Sequence, residues 1–323
     1  MHVLERIAAA LHDAGVPALA LKGAALHLTV YDSLDQRPMD DIDLMVRRDD
    51  LARTRQVLEE LGGVREPTPV SEDFFPRFYY ETGYLFGDVC PVKIDLHVRP
   101  FRPLRYARFV PDDALWGGAQ QVSIGRASVF VPSPENTLIH LAAHAAIHGA
   151  TDGKWLQDIQ LWSDRFGADL NWHLILDRVK RWRLALPVRE GLRAAAHAFG
   201  AVYPPGFDRM IHEVRTNWRD RLALWQAPRD ADHPAAQVLV NVLCTPGWRF
   251  ALAYLRAVAF PDRACMSGTD EGHQGMWLPW AVMGRWLRPL VSWAHRGQRC
   301  DRPGLGLDQA WRGDAMADGR ANL

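Results

Sequence analysis

Only four cysteines occur in 323 residues, Cys90, Cys244, Cys265 and Cys300, and no two of them form a CxxC pair. That spacing builds no zinc ribbon and suggests no disulfide framework of the secreted kind. An excess of one charge is also missing, since 38 Lys and Arg balance 38 Asp and Glu. Proteins that hold long nucleic acid through its phosphates usually carry a basic excess, so no long nucleic acid is expected as a partner. No uncharged apolar run approaches the roughly 18 residues that span a bilayer, and the membrane is not an expected partner either. The first residues, Met1-His2-Val3-Leu4-Glu5-Arg6, read as an amphipathic helix and not as a leader peptide. A cytoplasmic location is the simplest expectation.

What is present belongs to a folded globular chain. Apolar residues make up 48% and charged residues 24%, and the length suits one large domain or two ordinary ones. The most informative stretch is Lys22-Gly23-Ala24-Ala25-Leu26, followed by Arg37-Pro38-Met39-Asp40-Asp41-Ile42-Asp43-Leu44-Met45-Val46. Asp41 and Asp43 sit two apart in a strand-like run, so both carboxylates leave from one face while Ile42, Leu44 and Val46 take the other. Paired carboxylates repel each other unless a cation joins them. Mg²⁺ is bound by one or two carboxylates plus substrate phosphates, so the pair reads as a metal clasp for a nucleotide.

Val92-Lys93-Ile94-Asp95-Leu96-His97-Val98-Arg99 alternates without a fault between an apolar and a polar face. If this strand pairs beside Asp41/Asp43, Asp95 completes a three-carboxylate cluster for two ions, the arrangement that serves in-line phosphoryl displacement. Lys93, His97 and Arg99 share the face of Asp95. That face is either a solvated strand surface or, with His97 foremost, a contact for the acceptor or a phosphate.

These residues resemble the nucleotidyltransferase superfamily typified by DNA polymerase beta, and more closely its bacterial branch with an LKG…R…DIDL…DLH pattern. The likeness covers roughly residues 16–100 and continues more weakly beyond. It implies an α+β fold: a small mixed sheet with flanking helices, the polymerase beta-like nucleotidyltransferase core, followed by an all-helical domain. It also implies a donor NTP, two Mg²⁺ (or Mn²⁺) ions on Asp41, Asp43 and Asp95, and Asp95 assisting deprotonation of the acceptor. The turn before the helix is Gly23-Ala24 where relatives often have Gly-Ser, so the small hydroxyl is absent. Lys22 and Arg37 are then the expected phosphate contacts alongside Gly23 and Ala24. For Lys22 the plainer reading is a lysine at a strand end. For Arg37 it is an ion pair with Asp40, itself read as shaping the loop.

Periodicity sets the layout. Helices are expected over 2–14, 24–31 and 51–61, the last capped by Asp49-Asp50, with strands at 18–21, 41–46 and 92–99 and a strand pair near 119–131. Residues 74–87 look aromatic and hairpin-like. Beyond Pro132-Ser133-Pro134 the pattern is helical: 134–148, 154–166, 171–183, 187–199, 207–227, 235–244 and 248–259. This gives a catalytic domain at 1–132, a helical acceptor or cleft-closing domain at 133–295 and a disordered tail at 296–323. A helix N-terminus after Lys22-Gly23 would offer free N–H groups to phosphate.

His140, His144 and His148 lie on one helix face. They span about 12 Å by the helical rise, too far for one ion to reach all three, and the Glu of HExxH is absent. They are ordinary core histidines, or, as the resemblance implies for His144 and His148 with Trp155 and Asp158, groups that face the cleft and position the acceptor or base. Trp277, Trp280, Trp286 and Trp293 with Arg285 and Arg288 make a Trp-rich segment, read as core packing or as a partner surface.

The expected activity is NMP transfer from an NTP to an acceptor hydroxyl or amine with release of pyrophosphate. The acceptor stays open among a small molecule, a peptide or protein side chain and a tRNA end. The alternatives are a non-catalytic nucleotide- or partner-binding module, antitoxin-like, and a phosphotransferase.

Overall fold

In the computed structural model, residues 1–66, 74–78, 80–87, 91–229 and 234–259 are described. All belong to a compact unit, Met1–Asp270; the second unit, Glu271–Leu323, lies outside them. The Trp-rich segment, the tail and Cys90, Cys265 and Cys300 therefore fall outside the described residues.

Seven strands form one mixed sheet: β1 (Leu19–Ala20), β2 (Asp41–Met45), β3 (Val64–Arg65), β4 (Glu81–Phe86), β5 (Val92–His97), β6 (Gln120–Ile124) and β7 (Ala127–Val131), in the order β3-β4-β5-β2-β1-β7-β6. β2 and β5 run parallel, as do β1 and β7; the other neighbours are antiparallel. Ile42, Leu44, Val46, Ile94, Leu96 and Val98 turn to one face, where α1 (His2–Asp13) and α3 (Leu51–Glu60) complete an apolar core. The alternation in both strands leaves the acids on the opposite face, as the spacing requires.

Between β1 and β2 runs α2 (Lys22–Thr29). Its first residue is Lys22, not the residue after Gly23, and Lys22 adopts a left-handed φ of 44°. The segment read as a hairpin is part helix: α4 (Phe74–Phe78) precedes β4. α5 (Leu104–Phe109) was not anticipated. Asp50 stands at the N-cap of α3 without making a side-chain cap bond, because a short 3-10 turn over Arg48–Asp50 leads into the helix.

From α6 (Pro134–Ile147) onward the chain is helical: α7 (Gly153–Phe166), α8 (Trp172–Arg181), α9 (Ala185–Phe199), α10 (Pro205–Glu213), α11 (Trp218–Gln226), α12 (Pro234–Cys244) and α13 (Trp248–Ala259). The boundary expected at 132/133 falls between β7 and α6. Ser133 caps α6 by accepting from the Asn136 backbone N–H. α6 is buried nearly all round and packs on α7, α8 and α9. At Gly191 of α9 a Cβ would lie 2.0 Å from the Ala142 carbonyl O, so only glycine lets the two backbones approach this closely. The helix expected over 207–227 is broken in two, and Asn217 with Asp220 forms a reciprocal capping box at the start of α11. No helix among the described residues is long and apolar enough to cross a membrane.

Candidate active site

The parallel register of β2 and β5 sets Asp41 opposite Lys93 and Asp43 opposite Asp95. Asp41, Asp43 and Asp95 thereby converge, each offering an oxygen within 4.8 Å of the others. Burial raises the pKa of Asp41, and Asp43 adds to it; burial raises that of Asp95 as well, against the pull of Lys93. Three acids gathered at this spacing on two central strands form an all-oxygen donor set, the chemistry that hard divalent cations require. The residues present fit such a metal.

Asp43 is the most constrained of the three. Lys22 Nζ donates to its Oδ1 at 2.6 Å, and His97 Nε2 donates to the same oxygen at 2.7 Å. Burial alone would push the Asp43 carboxyl up, but Lys22 and His97 outweigh it and hold it well below the usual carboxylate range. Lys22 responds in kind: burial lowers its pKa, and Asp43 and Glu81 more than restore it.

Arg37 lies between α2 and β2, and its Nε and Nη2 grip both oxygens of Asp158 in α7 at 2.8–2.9 Å. Its expected pairing with Asp40 is replaced by this one, while Asp40 meets Lys154 Nζ at 3.0 Å. Tyr31 also donates to Asp158, at 2.8 Å. Asp158 is 1% exposed. It stands behind Arg37 and is not part of the pocket lining, in contrast to its expected place at the cleft.

One pocket gathers most of the expected residues: Lys22, Gly23, Arg37, Asp41, Asp43, Asp95, His144 and His148 all line it. Ala24 is not among them, because its side chain is buried in the sheet core. His97 is fully buried beneath Asp43, to which its Nε2 donates, and is absent from the pocket lining. Arg99 turns toward Asp112 (3.5 Å), and Lys93 toward Asp95 (3.3 Å) and Glu66 (3.4 Å).

The three histidines of α6 divide. His140 is buried, its Nε2 donating to the Pro100 carbonyl at 3.2 Å. The His144 and His148 rings lie 4.4 Å apart, tilted to each other, and meet Trp155 at 4.9 and 5.1 Å, making one wall of the pocket. Among the described residues they form no metal-binding group.

Three lining residues escaped the sequence reading: Lys154 of α7, Tyr80 and Glu81. Glu81 opens β4 directly after Tyr80 and pairs across the sheet with His97, its Oε2 3.6 Å from His97 Nε2. The signal was available. Glu81 is the one charged residue in Glu81–Phe86, on the face opposite buried Tyr84 and Phe86.

A family described as uncharacterised nucleotidyltransferase matches residues 1–200. The chain belongs to this family. No curated protein matches it. Among solved structures it is similar to the crystal structure of ANT(2'')-Ia in complex with adenylyl-2''-tobramycin, at 18% identity over 56% of this chain and 95% of that one, with a TM-score of 0.40. The solution structure of the antibiotic-resistance factor ANT(2'')-Ia aligns at 19% identity over 61% and 95%, TM-score 0.38. An antigenic nucleotidyltransferase-like protein from Paracoccidioides brasiliensis aligns at 16% over 58% and 91%, TM-score 0.35. The matched segment contains every acid of the triad and the whole of the sheet.

Proposed function

We propose that this protein transfers NMP from an NTP to an acceptor hydroxyl or amine and releases pyrophosphate. The observation that carries the reading is the convergence of Asp41, Asp43 and Asp95 beside the N-terminus of α2. Asp41, Asp43 and Asp95 would hold Mg²⁺ or Mn²⁺, two ions in the full site. Bound there, such ions neutralise the triphosphate and make the acceptor nucleophile easier to deprotonate.

The chain's own groups do the rest. The N–H groups at the start of α2, Lys22 and Arg37 hold the β- and γ-phosphates. The acceptor's oxygen or nitrogen bonds to the α-phosphorus as the bond to the β-phosphate oxygen breaks, and Asp95 takes the acceptor's proton. Pyrophosphate departs toward Lys22 and Arg37. Catalysis is mainly positioning and charge neutralisation. The helices from α6 onward act as the cleft-closing, acceptor-selecting part, with His144, His148 and Trp155 as its contribution to the wall.

Calorimetry with each of the four NTPs, with and without Mg²⁺, tests this on wild type and on Asp41→Ala/Asp43→Ala. Metal-dependent binding that the double variant loses is the expected result. Binding that ignores the metal and the substitutions would favour the non-catalytic module. Release of a nucleoside diphosphate in place of pyrophosphate would favour a phosphotransferase.

A further inference from the structure

Three cations line the pocket, Lys22, Arg37 and Lys154, against five carboxylates, Asp40, Asp41, Asp43, Glu81 and Asp95. His144 and His148 add no charge at neutral pH, because burial holds both imidazoles well below their ordinary pKa. A triphosphate entering with its metal ions therefore finds three side chains that can meet it as cations. They differ in what holds them.

Lys22 and Arg37 are fixed. Lys22 Nζ lies 2.6 Å from the buried carboxylate of Asp43, and Arg37 gives the enclosed Asp158 three hydrogen bonds. Breaking such a pair strands a buried charge, so these two can offer a phosphate only the donors that their acids leave over. Lys154 is held differently. Its Nζ meets Asp40 at 3.0 Å, but the Asp40 side chain is 88% exposed, and water can take over its carboxylate. An exposed pair of this kind holds its partners weakly.

The place of Lys154 in its helix is a second argument. It stands in the first turn of α7, where Asp152 caps the helix by accepting the Lys154 backbone N–H and no further acid follows. The positive end of a helix dipole favours an anion there and disfavours a lysine. The ammonium thus does nothing for the helix, and it lines the pocket beside Trp155.

We propose that Lys154 is a further phosphate-binding residue, which leaves Asp40 for the triphosphate when the nucleotide binds, so that Asp40 competes with the substrate for it. The inference rests on the transferase reading and adds to it the contact by which α7 engages the donor. Lys22 and Arg37 are set in place beforehand, and Lys154 answers the substrate.

The test titrates Asp40→Asn, Lys154→Met and the double variant by calorimetry with whichever Mg²⁺–NTP the wild type binds, and urea unfolding checks that each keeps its fold. Asp40→Asn should bind about threefold more tightly, the strength of one exposed ion pair. Lys154→Met should bind about tenfold more weakly, the loss of one charge-assisted hydrogen bond. The double variant should match Lys154→Met, because Asp40 acts only through the lysine. A bridge that merely ties α7 to the loop before β2 would weaken binding in both single variants. A plain effect of charge would let Asp40→Asn tighten binding by the same factor with or without the lysine. Either result, or unchanged affinity in Lys154→Met, overturns the proposal and leaves the transferase reading standing. A wild type that binds no Mg²⁺–NTP overturns that reading, and this proposal with it.

Discussion

Arg37 and Asp158, 121 residues apart, lock together through three hydrogen bonds with almost no access to water. The pair joins the loop before β2 to α7 and fixes the guanidinium plane, with Nη1 left against Gly23. Removing one partner of a buried ion pair strands the other charge, at a cost of about 3–5 kcal/mol. Asp158→Asn should therefore lower the urea unfolding free energy by about 3 kcal/mol and weaken NTP binding about tenfold. The double variant Arg37→Leu/Asp158→Leu should recover most of the stability and none of the affinity. Equal affinity in wild type and double variant would remove Arg37 from the phosphate site.

The absence of a side chain at Gly23 matters for the same reason. A Cβ there would lie 2.3 Å from Arg37 Nη1 and 3.0 Å from Met39 Sδ. The end of a free arginine would swing away, but Asp158 holds this one. Gly23→Ala should cost about 1–3 kcal/mol in stability through overcrowding. It should also weaken NTP binding more than the lowered unfolding midpoint would suggest, since the displaced group is the proposed phosphate contact. Calorimetry alongside urea unfolding separates the two effects.

Much of this site could be read before the fold was known, because strand alternation is a strict geometric rule. Asp41, Asp43 and Asp95 had to share a face with one another once β2 and β5 were neighbours, and the apolar residues between them had to share the other. The pairing itself was supplied only by the resemblance. What alternation cannot report is depth along a strand. His97 lies two residues beyond Asp95 on the same face, yet it passes beneath Asp43 and is sealed off from the pocket. Partners remote in sequence are equally hidden: nothing near Arg37 points to Asp158, whereas Asp40 was at hand. Glu81 was missed because the aromatic residues around it suggested a hairpin and drew attention from its own alternation.

Lys22 and a divalent ion want the same oxygen of Asp43. The ammonium holds it at 2.6 Å. Lys22→Met removes the competitor, so Mn²⁺ alone should bind more tightly, by about tenfold if the lost contact was worth ~1.4 kcal/mol. The same variant should bind Mg²⁺–NTP more weakly, because the proposed phosphate partner is gone. Mn²⁺ titration by electron paramagnetic resonance and NTP calorimetry measure the opposed effects. A Lys22→Met protein weakened in both would show that the lysine organises Asp43 and does not compete for it.

His140 in α6 and the part-buried His148 at its C-cap set a pH dependence of stability. Burial, with Lys22 next, pushes His140 down to about 3, and burial, with Arg102 next, pushes His148 down to about 4. Above pH 6.5 both are neutral whether the chain is folded or not, and neither affects stability. Below 6.5 the unfolded chain takes up protons that the folded one refuses, so stability falls by up to about 1.4 kcal/mol per pH unit for each histidine. The decline continues until the folded pKa is reached. Asp41, Asp95 and Glu81, whose pKa values are raised, act in the opposite sense, so the histidine contribution must be read as a difference between proteins. His140→Gln keeps an amide to donate to the Pro100 carbonyl and removes the titration. Relative to wild type it should gain about 2–3 kcal/mol between pH 6.5 and pH 4.5, measured as urea unfolding free energies at the two pH values. A constant difference at both would mean that His140 accepts its proton in the folded protein, with water or a carboxylate reaching a ring that the fold otherwise encloses against Phe101.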